Sequence, residues 1–282
     1  MEIRTAKTAG FCFGVERAVT KTKQIAESFC GPCYTYGPVV HNKQVIDDLA
    51  KYGVVVLNSE KELDALLAGT VIIRAHGVTR AIEEKMREKR LNVVDLTCPF
   101  VKKIHHIVQE HSRKNETIVI CGDANHPEVK GIIGWCEGPY HVVATEEDMR
   151  NLPVAEGEVL CIVSQTTFNH EKFQNIIEIA NCLRYNCVKL DTVCLATQER
   201  QEEAEKLAGE VDCMIVIGSK DSSNSRKLFE ISQTKCNRTY FIENADEIEN
   251  RMFDHVNCVG ITAGASTPIT TLKEVQNHVR EF

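Results

Sequence analysis

Short apolar runs alternate with stretches of helical periodicity along the chain, and the pattern is fullest at residues 91–129. Leu91 to Asp95 reads as a short buried strand, Thr97-Cys98-Pro99 as the turn into a helix, and Val101, Ile104, Ile107 and Val108 as that helix's inward face. A second strand, Ile118-Val119-Ile120-Cys121, ends in Gly122, and four residues later His126-Pro127-Glu128 opens another helix. One helix N-terminus therefore carries a thiol, and the next carries an imidazole and a carboxylate.

The same order occurs on either side. Cys12 precedes a helix bearing Val15, Ala18, Val19 and Ile25, then the strand Tyr34-Thr35-Tyr36, Gly37 and a helix opened by His41. Cys194 precedes a helix bearing Ala204, Leu207 and Ala208, then Met214-Ile215-Val216-Ile217, Gly218 and Ser222-Ser223-Asn224. Cys12 to Gly37 spans 25 residues, and Cys98 to Gly122 and Cys194 to Gly218 span 24 each. Each copy closes on an apolar strand running into a small polar loop: Val71 to Ile73 into His76-Gly77, Val159 to Val163 into Ser164-Gln165-Thr166-Thr167, and Val259 to Ile261 into Ala263-Gly264-Ala265-Ser266. Such self-similarity predicts three related α/β units, at residues 1–97 (with the N-terminal strand and Cys12), 98–193 and 194–282.

A chain of 282 residues is comfortable for three units of about 90 residues. Apolar and charged fractions of 43% and 26% belong to an ordinary globular protein. The net charge of −7 argues against nucleic acid as the partner, while leaving room for local basic groups that meet a small anion. No apolar run reaches the roughly 18 residues of a membrane span, and residues 1–14 lack a signal-peptide core, so a cytoplasmic protein is expected. Thirteen cysteines in a reducing compartment point to metal or redox chemistry rather than to a disulfide framework.

Cys121, Cys161, Cys213 and Cys258 lie in or beside apolar strands, where a thiol packs as a small hydrophobe. Cys136, Cys182, Cys187 and Cys236 show no ligand spacing. Cys30-Gly31-Pro32-Cys33 has the form of a redox dithiol, but Gly31 and Pro32 end a helix and a strand follows, so the dipole disfavours the thiolate. Cys12, Cys98 and Cys194 differ from these in occupying one place in three repeats. Arranged about a pseudo-threefold axis, they would present three sulfurs to one point. A structural zinc normally recruits a fourth protein ligand, whereas a [4Fe–4S] cluster held by three thiolates keeps one iron open to substrate. Three helix-start cysteines without a metal are the bland alternative.

The second family of repeat positions is His41, His126 and Ser222-Ser223-Asn224, with His76, Thr166 and Ser266 at the repeat ends. Helix N-termini with donor side chains suit phosphate oxygens. Glu128, in the first turn after His126, is a candidate general acid if sheltered from water, or an N-terminal glutamate that merely complements the dipole. His105, His106, His111, His141, His170, His255 and His278 read as ordinary polar residues.

The motifs GFCFGVERAV at 10–19, YGPVVHN at 36–42, RAHGV at 74–78, LTCPFV at 96–101, GDANHPEV at 122–129, SQTT at 164–167, TVCLATQERQ at 192–201, GSKDSSNS at 218–225 and ITAGAST at 261–267 resemble those of the 4-hydroxy-3-methylbut-2-enyl diphosphate reductases. The resemblance covers nearly the whole chain. It implies a trefoil of three pseudo-threefold-related α/β units around one central [4Fe–4S] cluster with ligands at Cys12, Cys98 and Cys194. It further implies an allylic diphosphate held by His41, His76, His126, Ser222, Ser223, Asn224 and Ser266. Glu128 matches the family's proton donor, and Thr166 and Thr197 match threonines near the substrate's hydroxyl end. The implied reaction is a two-electron reductive dehydroxylation giving isopentenyl and dimethylallyl diphosphate, the terminal step of non-mevalonate isoprenoid precursor synthesis. A ferredoxin or flavodoxin is the implied electron donor, and a plain bacterial enzyme is expected. The Cys30/Cys33 pair lies outside the family pattern. Two rivals remain at this level: a quinolinate-synthase-like dehydratase, whose carboxylate substrate the SSNS and HPE motifs do not suggest, and an iron or redox sensor, which leaves Glu128 without a role.

Overall fold

A computed structural model of the chain describes residues 1–29 and 31–282. Cys30 of the dithiol-like motif lies outside the described residues, and Cys33 is a buried residue at the start of a strand.

After β1 (Glu2–Thr5) the chain runs through α1 (Phe13–Ser28), β2 (Cys33–Tyr36), α2 (Lys43–Ala50), β3 (Val54–Leu57), α3 (Glu60–Ala65), β4 (Thr70–Ile73), α4 (Arg80–Glu88) and β5 (Asn92–Asp95). The alternation repeats in α5 (Pro99–Arg113), β6 (Thr117–Cys121), α6 (Pro127–Ile133), β7 (Tyr140–Val143), α7 (Glu146–Arg150), β8 (Val159–Ser164), α8 (His170–Cys182) and β9 (Asn186–Lys189). A third round gives α9 (Leu195–Ala208), β10 (Cys213–Ile217), α10 (Ser223–Lys235), β11 (Thr239–Ile242), β12 (Cys258–Ala263) and α11 (Ile269–Val279).

These strands make three four-stranded sheets with one shared order, β3-β2-β4-β5, β7-β6-β8-β9 and β11-β10-β12-β1, and every described pairing is parallel. The three α/β units expected from the repeat are present. One assignment is corrected: the N-terminal strand, expected within the first unit, pairs with β12 from Glu2↔Cys258 to Thr5↔Ile261. The reason lies in the repeat itself. The place beside β4 is filled by β5, which leads into Cys98, and the place beside β8 by β9, which leads into Cys194. β1 leads into Cys12 and fills the same place beside β12, pairing backbone groups that would otherwise lack partners.

By compactness the chain divides into two units. Met1–Glu16, Val40–Asp47 and Leu195–Phe282 form one, carrying the β1-containing sheet, and Arg17–Val39 with Asp48–Cys194 form the other, carrying the remaining two sheets.

Strands β4, β6 and β10 are buried at every residue, as parallel strands covered on both faces must be. On one face of the β6/β8 sheet, Ile118, Ile120, Cys161 and Val163 pack with Ile104 and Val108 of α5 and Val129 and Ile132 of α6. On the other, Val119, Leu160 and Ile162 pack with Phe173 and Ile176 of α8. In the third sheet, Ile215, Ile217, Val259 and Ile261 pack with Leu272 and Val275 of α11. Among the described residues, no helix is long and apolar enough to cross a membrane.

Candidate active site

The three repeat-position cysteines share one anchoring bond. The backbone N–H of Cys12 donates to the Ala265 carbonyl at 3.3 Å, that of Cys98 to Ala75 at 2.9 Å, and that of Cys194 to Thr166 at 3.1 Å. Each acceptor stands two residues beyond the end of a strand, β12, β4 or β8 respectively. The loop after the third strand of each unit thus fixes the cysteine that opens a helix, and all three cysteines are partly exposed. Cys98 caps α5 without a side-chain cap bond, and Pro99 follows at the first helical position. Burial pushes the thiols of Cys121, Cys161 and Cys213 up to about 12, so each stays protonated unless a metal ion displaces the proton. A partly exposed thiol at a helix start is a donor type that suits a soft metal.

The loop leading to Cys12 is held by α9. Arg200, 5% exposed, donates to the Gly10 carbonyl at 2.6 Å and to Ala196 at 3.1 Å. Glu203 accepts from the backbone N–H groups of Lys7 and Thr8 at 2.8 and 2.9 Å and from the Thr8 hydroxyl at 2.6 Å. Neither role is evident from the sequence. The available signal was a pair of opposite charges three apart on a helix next to a candidate ligand.

Glu128 is 2% exposed at the start of α6. The Thr166 N–H donates to its Oε1 at 2.6 Å, and the Thr166 hydroxyl donates to its Oε2 at 2.8 Å. Burial favours the neutral acid and outweighs these two bonds, which favour the anion, so the carboxyl titrates at about 7. Thr166 therefore links three groups: its carbonyl holds Cys194 while its N–H and hydroxyl hold Glu128.

His126 is the N-cap of α6, and its Nδ1 accepts from the Glu128 N–H at 3.1 Å. That bond puts the proton of the neutral ring on Nε2 and makes it a donor. The His76 ring lies edge-on to it, with centroids 5.5 Å apart. His76 is followed by Gly77 at φ +73°, where an added Cβ would come within 2.7 Å of the His105 ring. His105 itself is buried, stacked on Trp135 at 5.3 Å and held neutral by burial, with its pKa lowered to about 4. It is a core histidine, where the sequence suggested only an ordinary polar residue.

In the other unit, Ser222 caps α10 by accepting from the Ser225 N–H at 3.3 Å, and the Ser266 hydroxyl makes long contacts to Ser222 Oγ at 3.4 Å and the His41 carbonyl at 3.5 Å. Asn224 is 4% exposed, yet neither Oδ1 nor Nδ2 has a hydrogen-bond partner. Buried polar atoms are rarely left so, and a ligand offering both acceptor and donor atoms would satisfy them. Thr197 is buried in the first turn of α9, and Ser223 opens α10 half-buried. The α10 turn sits directly on the strand ends: a Cβ on Gly218 would lie 2.7 Å from the Ser225 Cβ, and one on Gly264 1.9 Å from its Oγ. His41 does not cap α2. Asn42 takes that role, its Oδ1 accepting from the Val45 N–H at 3.1 Å.

The structure thus brings together Glu128, Thr166, His126, His76 and the Cys194 backbone in one unit, and Ser222, Ser266 and the His41 backbone in the other. Gln165 is a further residue missed in the sequence: it accepts from the Asp123 N–H at 3.3 Å and donates to Thr167 at 2.9 Å, tying the loop before His126 to the loop carrying Thr166.

Comparison with known proteins agrees in kind. A 4-hydroxy-3-methylbut-2-enyl diphosphate reductase of Caldanaerobacter subterraneus subsp. tengcongensis is 44% identical over 284 residues, covering 100% of this chain and 98% of the relative. The protein of that name from Geobacter sulfurreducens is 44% identical over 282 residues, with coverage of 100% and 98%. Among solved structures, an (E)-4-hydroxy-3-methyl-but-2-enyl diphosphate reductase, described as the terminal enzyme of the non-mevalonate pathway, is 41% identical, with full coverage of both chains and a TM-score of 0.71. The Plasmodium falciparum E-1-hydroxy-2-methyl-but-2-enyl-4-diphosphate reductase is 29% identical, covering 99% of this chain and 87% of its own, with a TM-score of 0.92. With the sequence profile of the LytB protein matching residues 3–280, nearly its whole length, the chain belongs to the LytB family.

Proposed function

We propose that this chain is a 4-hydroxy-3-methylbut-2-enyl diphosphate reductase, which removes the allylic hydroxyl of its substrate to give isopentenyl and dimethylallyl diphosphate. The observation that carries the reading is the chain of bonds from Cys194 through Thr166 to Glu128, which puts a carboxyl group titrating near neutrality beside a candidate metal ligand. A metal sensor would have no use for that acid.

Cys12, Cys98 and Cys194 would hold one [4Fe–4S] cluster, which when bound supplies single electrons and a Lewis-acidic iron. The three repeats belong to the same proposal, each contributing one thiol, with the N-terminal strand that leads into Cys12 completing the third sheet. Every other part of the work falls to side chains. The helix starts at Ser222, Ser223 and Asn224, with Ser266, His41, His76 and His126, hold the diphosphate; the unpartnered Nδ2 of Asn224 and the Nε2 proton of His126 support this. Thr197 and Thr166 orient the hydroxyl end. Glu128 donates the proton that lets the oxygen leave as water, with Thr166 Oγ1 as the intervening hydroxyl. The reaction takes two electrons and two protons, breaks one C–O bond and forms one C–H bond and one water.

The electrons come from a one-electron carrier such as a reduced ferredoxin or flavodoxin. Exposed apolar residues close behind each candidate ligand, Phe13, Phe100 and Leu195, support a docking partner there. The cysteine content and the absence of a need for disulfides support a cytoplasmic setting.

The test is anaerobic turnover of the allylic substrate by iron-loaded protein with reduced methyl viologen, with products identified by mass spectrometry. Formation of the two C5 diphosphates, inhibited by inorganic diphosphate, is expected. Iron-loaded protein that leaves the substrate unchanged contradicts the reading.

A further inference from the structure

The amino-terminal ends of β6 and β8 carry a cluster of ligand-type side chains that the reaction does not use. His111 lies in the last turn of α5, Glu116 in the turn before β6, and Cys161 in β8. Their nitrogen, oxygen and sulfur atoms all lie within 4.8 Å of one another. His111 Nδ1 and Glu116 Oε2 are 2.6 Å apart, and the Glu116 N–H donates to the His111 carbonyl at 3.2 Å, so the helix-to-strand turn fixes both side chains. Cys136, just after α6, packs in the same cluster as Cys161, and ionising one of these thiols disfavours ionising the other. Glu128 and Thr166 lie at the opposite, carboxyl ends of the same two strands.

Imidazole, carboxylate and thiolate together are the donor set of a borderline-soft divalent ion. Ligands about 2.0–2.3 Å from a tetrahedral zinc stand about 3–4 Å from one another. The three ligand atoms lie within 4.8 Å of one another, and a metal ion would take the place of the 2.6 Å contact between His111 and Glu116. Access is available, because the His111 and Glu116 side chains are 13% and 16% exposed while Cys161 beneath them is fully buried. In the sequence, His111 read as an ordinary polar residue and Cys161 as a packed hydrophobe; only the fold puts them side by side.

We propose that His111, Glu116 and Cys161, with Cys136 as fourth ligand, form a site for zinc or a similar divalent metal ion that ties the end of α5 to the central strand β8. Metal binding there releases the thiol protons and adds a cross-link between α5, β8 and the segment after α6. The site stands independently of the reductase reading, and its metal is measured whether or not the chain turns over substrate.

Holoprotein with its full iron content is titrated anaerobically with Zn²⁺ alone and gel-filtered. Zinc is then read by elemental analysis and by zinc K-edge absorption fine structure, which does not see iron. About one zinc per chain is expected, with sulfur at about 2.3 Å and nitrogen or oxygen at about 2.0–2.1 Å. His111→Ala and Glu116→Gln, both at the rim, should weaken zinc binding at least about tenfold with iron content and turnover unchanged. Cys161→Ser should remove sulfur from the zinc shell; where that variant fails to fold, the two rim variants decide. No retained zinc, a shell without sulfur, or zinc held equally by wild type and both rim variants overturns the proposal.

Discussion

Both carboxylate oxygens of Glu128 are met by one residue, Thr166, which donates its backbone N–H at 2.6 Å and its hydroxyl at 2.8 Å. These bonds stabilise the anion, and burial of the group still raises its titration to about 7. A general acid must be protonated to act, so turnover should fall as pH rises through about 7. Glu128→Gln should lower turnover by roughly 10²-fold or more and remove that limb of the pH profile, with substrate affinity little changed. Unaltered turnover removes the acid assignment.

Thr166→Val keeps the N–H bond and deletes the hydroxyl. With one anion-stabilising bond gone, the Glu128 carboxyl should titrate higher, and the alkaline limb should move to higher pH. A limb that stays in place or moves down contradicts this balance between burial and hydrogen bonding.

The same carboxyl sets a term in folding stability. Its folded pKa, about 7, exceeds the ordinary value of 4.5, so the folded state binds more protons between these values and stability declines as pH rises from 4.5 to 7. Glu128→Gln should flatten this decline, a difference on the order of 3 kcal/mol across the window. Denaturant unfolding at either end of it measures the effect.

Ser222→Ala removes the cap of α10 and one hydroxyl from the proposed diphosphate site. A loss of about 1 kcal/mol in stability is expected from the cap alone. KM should rise with kcat nearly unchanged, since the contact is equally present in ground and transition states. Initial-rate kinetics on Ser222→Ala separates the two parameters.

Gly218→Ala brings two Cβ atoms within 2.7 Å, a clash that rotating the Ser225 hydroxyl cannot relieve. The first turn of α10 must then move off the strand ends, at a cost of roughly 1–3 kcal/mol. Unchanged stability with unchanged KM would show that this close approach does not position the helix start.

The strands legible in the sequence are those buried on both faces. Ile118 to Cys121 and Met214 to Ile217 read as unbroken apolar runs because parallel strands covered by helices leave no polar alternation. Edge strands such as β1 and β9, with alternating or mostly exposed residues, carry no such signal, and only the sheet order shows where β1 belongs. The helix-start positions of Cys98, His126 and Glu128 were legible through the repeat. Arg200, Glu203 and Gln165 were not: each acts by bonding backbone of a distant segment, and nothing in local periodicity marks a charged or amide side chain as buried for that purpose.

The central claim, that Cys12, Cys98 and Cys194 hold one substrate-accessible iron–sulfur cluster, is tested most directly by anaerobic Mössbauer spectroscopy of iron-57-reconstituted protein with and without the allylic diphosphate. The account predicts four irons, one of them distinct and altered when substrate is added. No cluster after careful reconstitution, or four equivalent irons indifferent to substrate, would contradict it.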